Sequence, residues 1–216
     1  MLRSYSSALL VAALLLPAMA DAQPKGGDGF VKAGDFLIRG RGIVVEPDED
    51  ADISVIGGDV DIETAVMPEV DFTYFLTDNF ALELIAAVSP HDVDAVGTSL
   101  GDAPVGELLL LPPTLTLQYH YPVTERFKPY VGAGINVTFF IDEDAKGPLV
   151  TDIDADTAVA PAVQAGFDYQ ISGPWMLNLD VKKIFLDTDV SLNNGAITAD
   201  VDIDPWIFGF GIGYRF

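Results

Sequence analysis

The chain has 216 residues, 33 Asp+Glu against 11 Lys+Arg and a formal net charge of −22, yet half of it is apolar and its mean hydropathy is positive. Disorder pairs high charge with low hydrophobicity, so a disordered acidic tail is excluded, and the acidity argues against nucleic acid, whose phosphates need Lys and Arg. With no Cys there is no disulfide, no thiolate chemistry and no Cys-ligated zinc.

In chain order, residues 1–22 read as a secretory signal peptide. Arg3 supplies a positive start, Ala8 to Leu16 a short apolar run ended by Pro17, and Ala18-Met19-Ala20 and Ala20-Asp21-Ala22 two small-x-small cleavage sites. The run is about half of what a membrane-spanning helix needs. Residues 23–216 then form one exported domain. No later stretch is long and apolar enough to suggest a transmembrane helix.

From there the sequence alternates with period two, the signature of strands with one apolar face. The first run is Phe36, Ile38, Gly40, Gly42, Val44. Next come Val70, Phe72, Tyr74, Leu76 and then Phe80, Leu82, Leu84, Ala86, Val88. Leu115, Leu117, Tyr119, Tyr121 make a fourth and Val131, Ala133, Ile135, Val137, Phe139 a fifth. Val163, Ala165, Phe167, Tyr169, Ile171 and Trp175, Leu177, Leu179, Val181 follow. Trp206, Phe208, Phe210, Ile212, Tyr214 and Phe216 close the chain, with glycines and Arg215 on the other face. Three connections are short: Thr77-Asp78-Asn79, Pro122 to Arg126, and Ser172-Gly173-Pro174. Four are long and acidic, roughly 46–62, 91–110, 143–157 and 188–203. Long and short alternate, which predicts an all-β, eight-stranded antiparallel transmembrane barrel with short periplasmic turns, long extracellular loops and periplasmic termini.

A soluble eight-stranded barrel would turn the aromatic face inward. The aromatic residues cluster near strand ends, as in the girdles of membrane proteins, so that face is assigned to lipid. The lumen then receives Arg39, Arg41, Lys128, Lys182 and Arg215 against Glu69, Asp71, Glu83, Asp168 and Asp180, five positive and five negative. The plainer expectation is a packed ion-pair plug, because eight strands enclose only enough room for side chains. Its functional counterpart is a block to straight passage that forces any cargo to another exit.

Above the plug the inward phase becomes apolar: Ile43, Val45, Leu108, Leu110, Ile184, Leu186, Val201 and Ile203, with Glu46, Asp48, Asp187, Asp189, Asp200, Asp202 and Asp204 outward. This predicts either an apolar vestibule on the substrate path or a phase reset by bulges. By the same count Asp152, Asp154 and Asp156 point inward. Pro90, at the top of the third strand, lacks a ladder N–H and predicts either a lateral seam towards the second or fourth strand or simply the start of a loop. Lys183 falls on the lipid phase and is expected either to snorkel to the interface or to mark the top of the apolar belt.

Catalysis finds little support. His120 is placed low in the lumen as a packed polar residue, and His91, beside Asp92 and Asp94, either as a His–Asp dyad or, the plainer expectation, as part of a solvated loop cluster; no nucleophile accompanies either. Asp152-x-Asp154-x-Asp156 and Asp200-x-Asp202-x-Asp204 start like calcium loops but lack the later Gly and Glu. No resident metal or cofactor is implied, and loose Ca²⁺ or Mg²⁺ binding at the acidic loops stays open.

Residues 71–91 (DFTYFLTDNFALELIAAVSPH), 111–121 (LPPTLTLQYHY), 128–140 (KPYVGAGINVTFF), 164–171 (QAGFDYQI) and 200–216 (DVDIDPWIFGFGIGYRF) resemble the OmpW family of bacterial outer-membrane proteins, in order and over nearly the whole mature chain. The resemblance implies an outer-membrane barrel that passes small, often hydrophobic, molecules and releases them sideways through its wall, and it favours the seam at Pro90. Its acidic loops are heavier than the family requires. The partners expected are outer-membrane lipid and lipopolysaccharide, the barrel-assembly machinery (with terminal Phe216 as its signal) and small apolar solutes. The alternatives are a surface receptor or adhesin, or a structural barrel with cation-binding loops and no cargo.

Overall fold

Strands with one greasy and one polar or glycine-rich face have nowhere to hide both faces in water, and here they close on themselves. A computed structural model describes residues 31–146 and 150–216; the signal-peptide expectation lies outside them. The strands are β1 (Phe36–Glu46), β2 (Asp50–Ile53), β3 (Asp59–Ile62), β4 (Ala65–Phe75), β5 (Phe80–Ala87), β6 (Ser89–Val96), β7 (Ala103–Leu111), β8 (Thr114–His120), β9 (Phe127–Ala145), β10 (Ile153–Ala155), β11 (Ala158–Ser172), β12 (Trp175–Ile184), β13 (Asp187–Leu192), β14 (Ile197–Asp202) and β15 (Trp206–Arg215).

Eight of them form a closed antiparallel ring in the order β1, β4, β5, β8, β9, β11, β12, β15. β1 closes it, pairing with β4 from Phe36↔Tyr74 to Val45↔Ala65 and with β15 from Leu37↔Arg215 to Glu46↔Trp206. A closed ring leaves no edge, which is what a sheet crossing lipid requires. The outward face carries the exposed belt of Val70, Leu82, Leu117, Val131, Ile135, Leu179, Phe210 and Ile212. Aromatic pairs rim its turn end, Phe80 with Tyr119 at 5.1 Å and Trp175 with Tyr214 at 4.9 Å. Trp206, Phe208 and Phe139 lie outward towards the other end. The three short turns fall where the alternation put them.

The four long connections differ from the loop expectation. Most of their length continues as sheet above the ring: β3, β6, β7 and the upper part of β9 form one wall, and β2, β14, β13 and β10 another. The cause is the same alternation on a different background, since Ala51, Val93, Ala95, Ile153, Leu192, Ala199 and Val201 are buried while the intervening Asp residues face water. Carboxylates clip the two walls together. Asp59 Oδ1 accepts from the Ala51 N–H at 2.9 Å, Glu49 Oε1 from Ile62 at 3.1 Å, and Glu143 Oε1 from Ala155 at 3.0 Å.

One count was wrong. Ile153 and Ala155 are buried and Asp152, Asp154 and Asp156 exposed, whereas Ala158, Ala160 and Ala162 are the buried residues at the start of β11. The chain leaves strand geometry at Asp156–Thr157, which shifts the phase by one residue and exchanges the faces.

Candidate functional site

The lumen is layered. At the periplasmic end Val31, Leu37, Phe75, Ala81 and Met176 form a small apolar floor. Lys128, above it, donates to the backbone oxygens of Asp78 at 2.5 Å and Val31 at 3.5 Å, and lies 5.1 Å from the Phe75 ring centroid. His120 is packed between the rings of Phe75 and Tyr130, with Nε2 2.8 Å from Gln118 Oε1.

The next layer is the plug. Arg39 binds Asp71 at 2.8 Å, Thr73 at 2.6 Å and both carboxylate oxygens of Asp168. Arg41 Nε donates to Glu69 at 2.7 Å and Nη1 to Asn178 at 3.1 Å. The Tyr130 hydroxyl donates to Asp180 at 2.9 Å, and Gln164 Nε2 to Glu83 at 3.2 Å. All ten charges expected in the lumen are buried there, although Arg215 sits at the lower rim, 3.8 Å from Asp35. Buried charges persist only when paired and hydrogen-bonded. The glycine-rich face of β15 makes the room: a Cβ on Gly211 would fall 2.1 Å from the Gly40 oxygen and 2.7 Å from Arg41 Cγ.

Above the plug an apolar cavity opens, with about 790 Å³ of space between atoms when its mouth is included. Seven of the eight vestibule residues line it: Ile43, Val45, Leu108, Leu110, Ile184, Leu186 and Ile203. Val201 lies higher, packed with Ala51 and Ala199. The period-two count missed Met67, Ile85, Phe140 and Ile207 on the wall, and Glu69 and Lys182 at the floor face this cavity from the plug. Val93, Val105, Ile153 and Leu192 cluster in the extension above.

The expectation for His91 changes. His91 is buried, with Nε2 2.6 Å from Ser89 Oγ and Nδ1 3.1 Å from the Glu63 carbonyl oxygen. Asp92 and Asp94 point to the other face of the same strand, so there is neither a solvated cluster nor a His–Asp pair; Asp92 binds Lys146 at 2.6 Å. Lys183 is buried too, bent over the Trp206 ring to Asp48 at 3.2 Å and the backbone oxygen of Asp204 at 2.5 Å.

The wall has a break beside this cavity. The β4–β5 ladder ends at Glu69↔Ala87 and pairing resumes only at Ile62↔Val93, offset by one residue. Between these points the upper part of β4 has ladder partners on β1 alone and residues 89–92 of β6 on β7 alone. The lower register, continued, sets Val66 opposite Pro90 and Met67 opposite Ser89. Glu63 closes the top, its N–H donating to the Asp92 oxygen at 3.2 Å. A shorter break on the other side runs from Ile85↔Thr114 to Ser89↔Leu110, beside Pro112 and Pro113. Val66, Pro68, Val88 and Pro90 face outward on the longer break, so an apolar surface flanks it.

Residues 32–216 match the model of the OmpW family. The chain is 39% identical over 215 residues to the uncharacterized outer-membrane protein y4mB of Sinorhizobium fredii, covering 98% of this chain and 92% of that one. It is 33% identical to outer membrane protein W of Vibrio cholerae, covering 85% and 89%. It is also 30% identical to the dibenzothiophene metabolism operon protein PahQ of Pseudomonas aeruginosa, covering 75% and 77%. Among solved structures, the outer membrane protein OprG from Pseudomonas aeruginosa superposes with a TM-score of 0.79 at 33% identity, covering 86% of this chain and 97% of that one.

Proposed function

The chain belongs to the OmpW family of outer-membrane barrels, and from that premise we propose that it is a passive, non-catalytic conduit for small apolar solutes across the outer membrane. A solute enters between the two acidic-faced walls, rests in the apolar cavity and leaves sideways between β4 and β6 into the lipid. The observation that carries this reading is the placing of a laterally unpaired stretch of wall next to an apolar cavity whose floor is a packed ion-pair plug. Burying apolar surface draws the solute in at about 25 cal/mol per Å², and the plug gives it no downward path. A relative named for a dibenzothiophene metabolism operon supports an apolar aromatic cargo.

The test is a clamp. Val66→Cys and Pro90→Cys are combined and joined by a short thiol cross-linker in the folded barrel. In liposomes, uptake of dibenzothiophene by the clamped protein is expected to fall to the protein-free rate and to recover on cleavage of the linker. Undiminished uptake through the clamped barrel removes the lateral route. If dibenzothiophene crosses no faster with the native protein than without it, the conduit reading fails and a receptor or structural barrel takes its place.

A further inference from the structure

Lys182 stands where the plug meets the cavity, and its hydrogen bonding is unlike that of the other plug cations. Arg39 and Arg41 are each held by hydrogen bonds to carboxylates, and Lys128 by backbone oxygens. The side chain of Lys182 is 1% exposed, its ion pair with Asp180 spans 3.8 Å, and its ammonium makes no hydrogen bond among the described residues. It nonetheless borders the cavity. Its neighbours across the ladder are Gln164 and Ile207. Gln164 commits Nε2 to Glu83 and Thr116, and its buried Oε1 accepts no hydrogen bond among the described residues. An ammonium carries three donors and no acceptor, and an oxygen in the cavity would meet one of them.

Resting on the reading of this cavity as the solute path, we propose that its floor selects apolar molecules bearing one neutral oxygen: an alcohol, ketone or ester. The oxygen accepts from Lys182 Nζ while the body packs on Ile43, Met67, Ile85, Leu110 and Ile184. A carboxylate fits less well. In the plug Glu69, Asp71, Glu83, Asp168 and Asp180 already outnumber Arg39, Arg41 and Lys182, Asp180 lies 3.8 Å from Lys182 and Glu69 shares the floor, so an added anion has no cation of its own.

The experiment measures binding of toluene, benzyl alcohol, acetophenone and benzoate to the full barrel in lipid nanodiscs, from Ile and Met methyl shifts. Benzyl alcohol and acetophenone are expected to bind about tenfold more tightly than toluene, the scale of one hydrogen bond to a charged group, and benzoate more weakly than benzyl alcohol. In Lys182→Met the preference over toluene should shrink to near unity. Equal binding of toluene and benzyl alcohol by the native barrel, a preference that survives Lys182→Met, or benzoate as the tightest ligand would each overturn the assignment. Should Lys182→Met not fold, the ¹⁵Nζ signal of Lys182 in the native barrel must move with benzyl alcohol and stay still with toluene; any other pattern counts against it. Failure here alongside intact dibenzothiophene uptake refutes the oxygen selectivity alone, whereas lost uptake with intact selectivity refutes the conduit.

Discussion

Arg39 on β1 holds Asp168 on β11 through two hydrogen bonds, Nε to Oδ1 at 3.0 Å and Nη2 to Oδ2 at 2.8 Å. The two strands are not neighbours in the ring, so this pair ties together walls that no backbone ladder connects. It is also bidentate, the geometry in which Arg binds a carboxylate most strongly.

Removing one member of so buried a set leaves the others uncompensated. Arg39→Met is expected to lower barrel stability by about 3–5 kcal/mol, read by urea unfolding in bilayers through Trp fluorescence. Adding Asp168→Asn to it should recover part of the loss. A double variant no better than the single one would show that Asp168 is not the charge Arg39 chiefly serves.

Gly211 and Gly40 make a matched pair for testing how tightly the plug fits. A methyl at Gly211 collides with the Gly40 oxygen and Arg41, while one at Gly40 meets nothing within 4 Å. Gly211→Ala should cost at least about 1–3 kcal/mol, and Gly40→Ala stay within about 0.5 kcal/mol of the native barrel. Electrophoretic folding assays and unfolding curves distinguish them.

The outer face of the extension predicts a pH response. Asp202 pairs with Asp50 on one side and Asp187 on the other. Lost hydration, with the charges of Asp204, Asp200, Asp187 and Asp50, holds its carboxyl above the usual range. The folded state therefore holds this proton more firmly than the unfolded state. The strain is present when both are ionised and is relieved as pH falls through the raised value. Hydrogen exchange of β13 and β14 should slow on mild acidification at matched intrinsic rates, and Asp202→Asn should give the slower exchange already at neutral pH. Faster opening in Asp202→Asn would reverse the sign.

Pro90 offers a gentler probe of the wall than a clamp. Pro90→Ala is expected to let β4 and β6 pair further and to cut apolar uptake severalfold, with the unfolding midpoint unchanged or raised. Native uptake by the folded variant would argue against release at this break.

The sequence disclosed the ring because membrane and lumen impose opposite chemistry on alternate residues, and a period of two survives any modest error in strand ends. Arg39, Asp71, Glu83 and Lys182 were legible as lumenal for that reason, as were Ile43 and Ile184 above them. What stayed hidden depends on single-residue shifts. Nothing in Asp156-Thr157 announces that the faces exchange there, nor does Ile141 show that β7 and β9 slip past it between Leu109 and Leu110. The acidic connections read as loops because their charge suggested solvent, although only one of their faces meets it. The break beside Pro90 was half visible. Its proline marks the position, but its extent depends on where β3 resumes pairing, and its side of the strand on Glu69 and Ala87.

The matched charges of the lower lumen also bear on what the barrel denies. A stack tied wall to wall by arginine and carboxylate, with Phe75, Leu37 and Met176 buried beneath it, fills the lower lumen with side chains. On the proposed reading, a cell carrying many copies of this barrel would admit oily nutrients while its envelope stayed shut to ions and to water-soluble antibiotics.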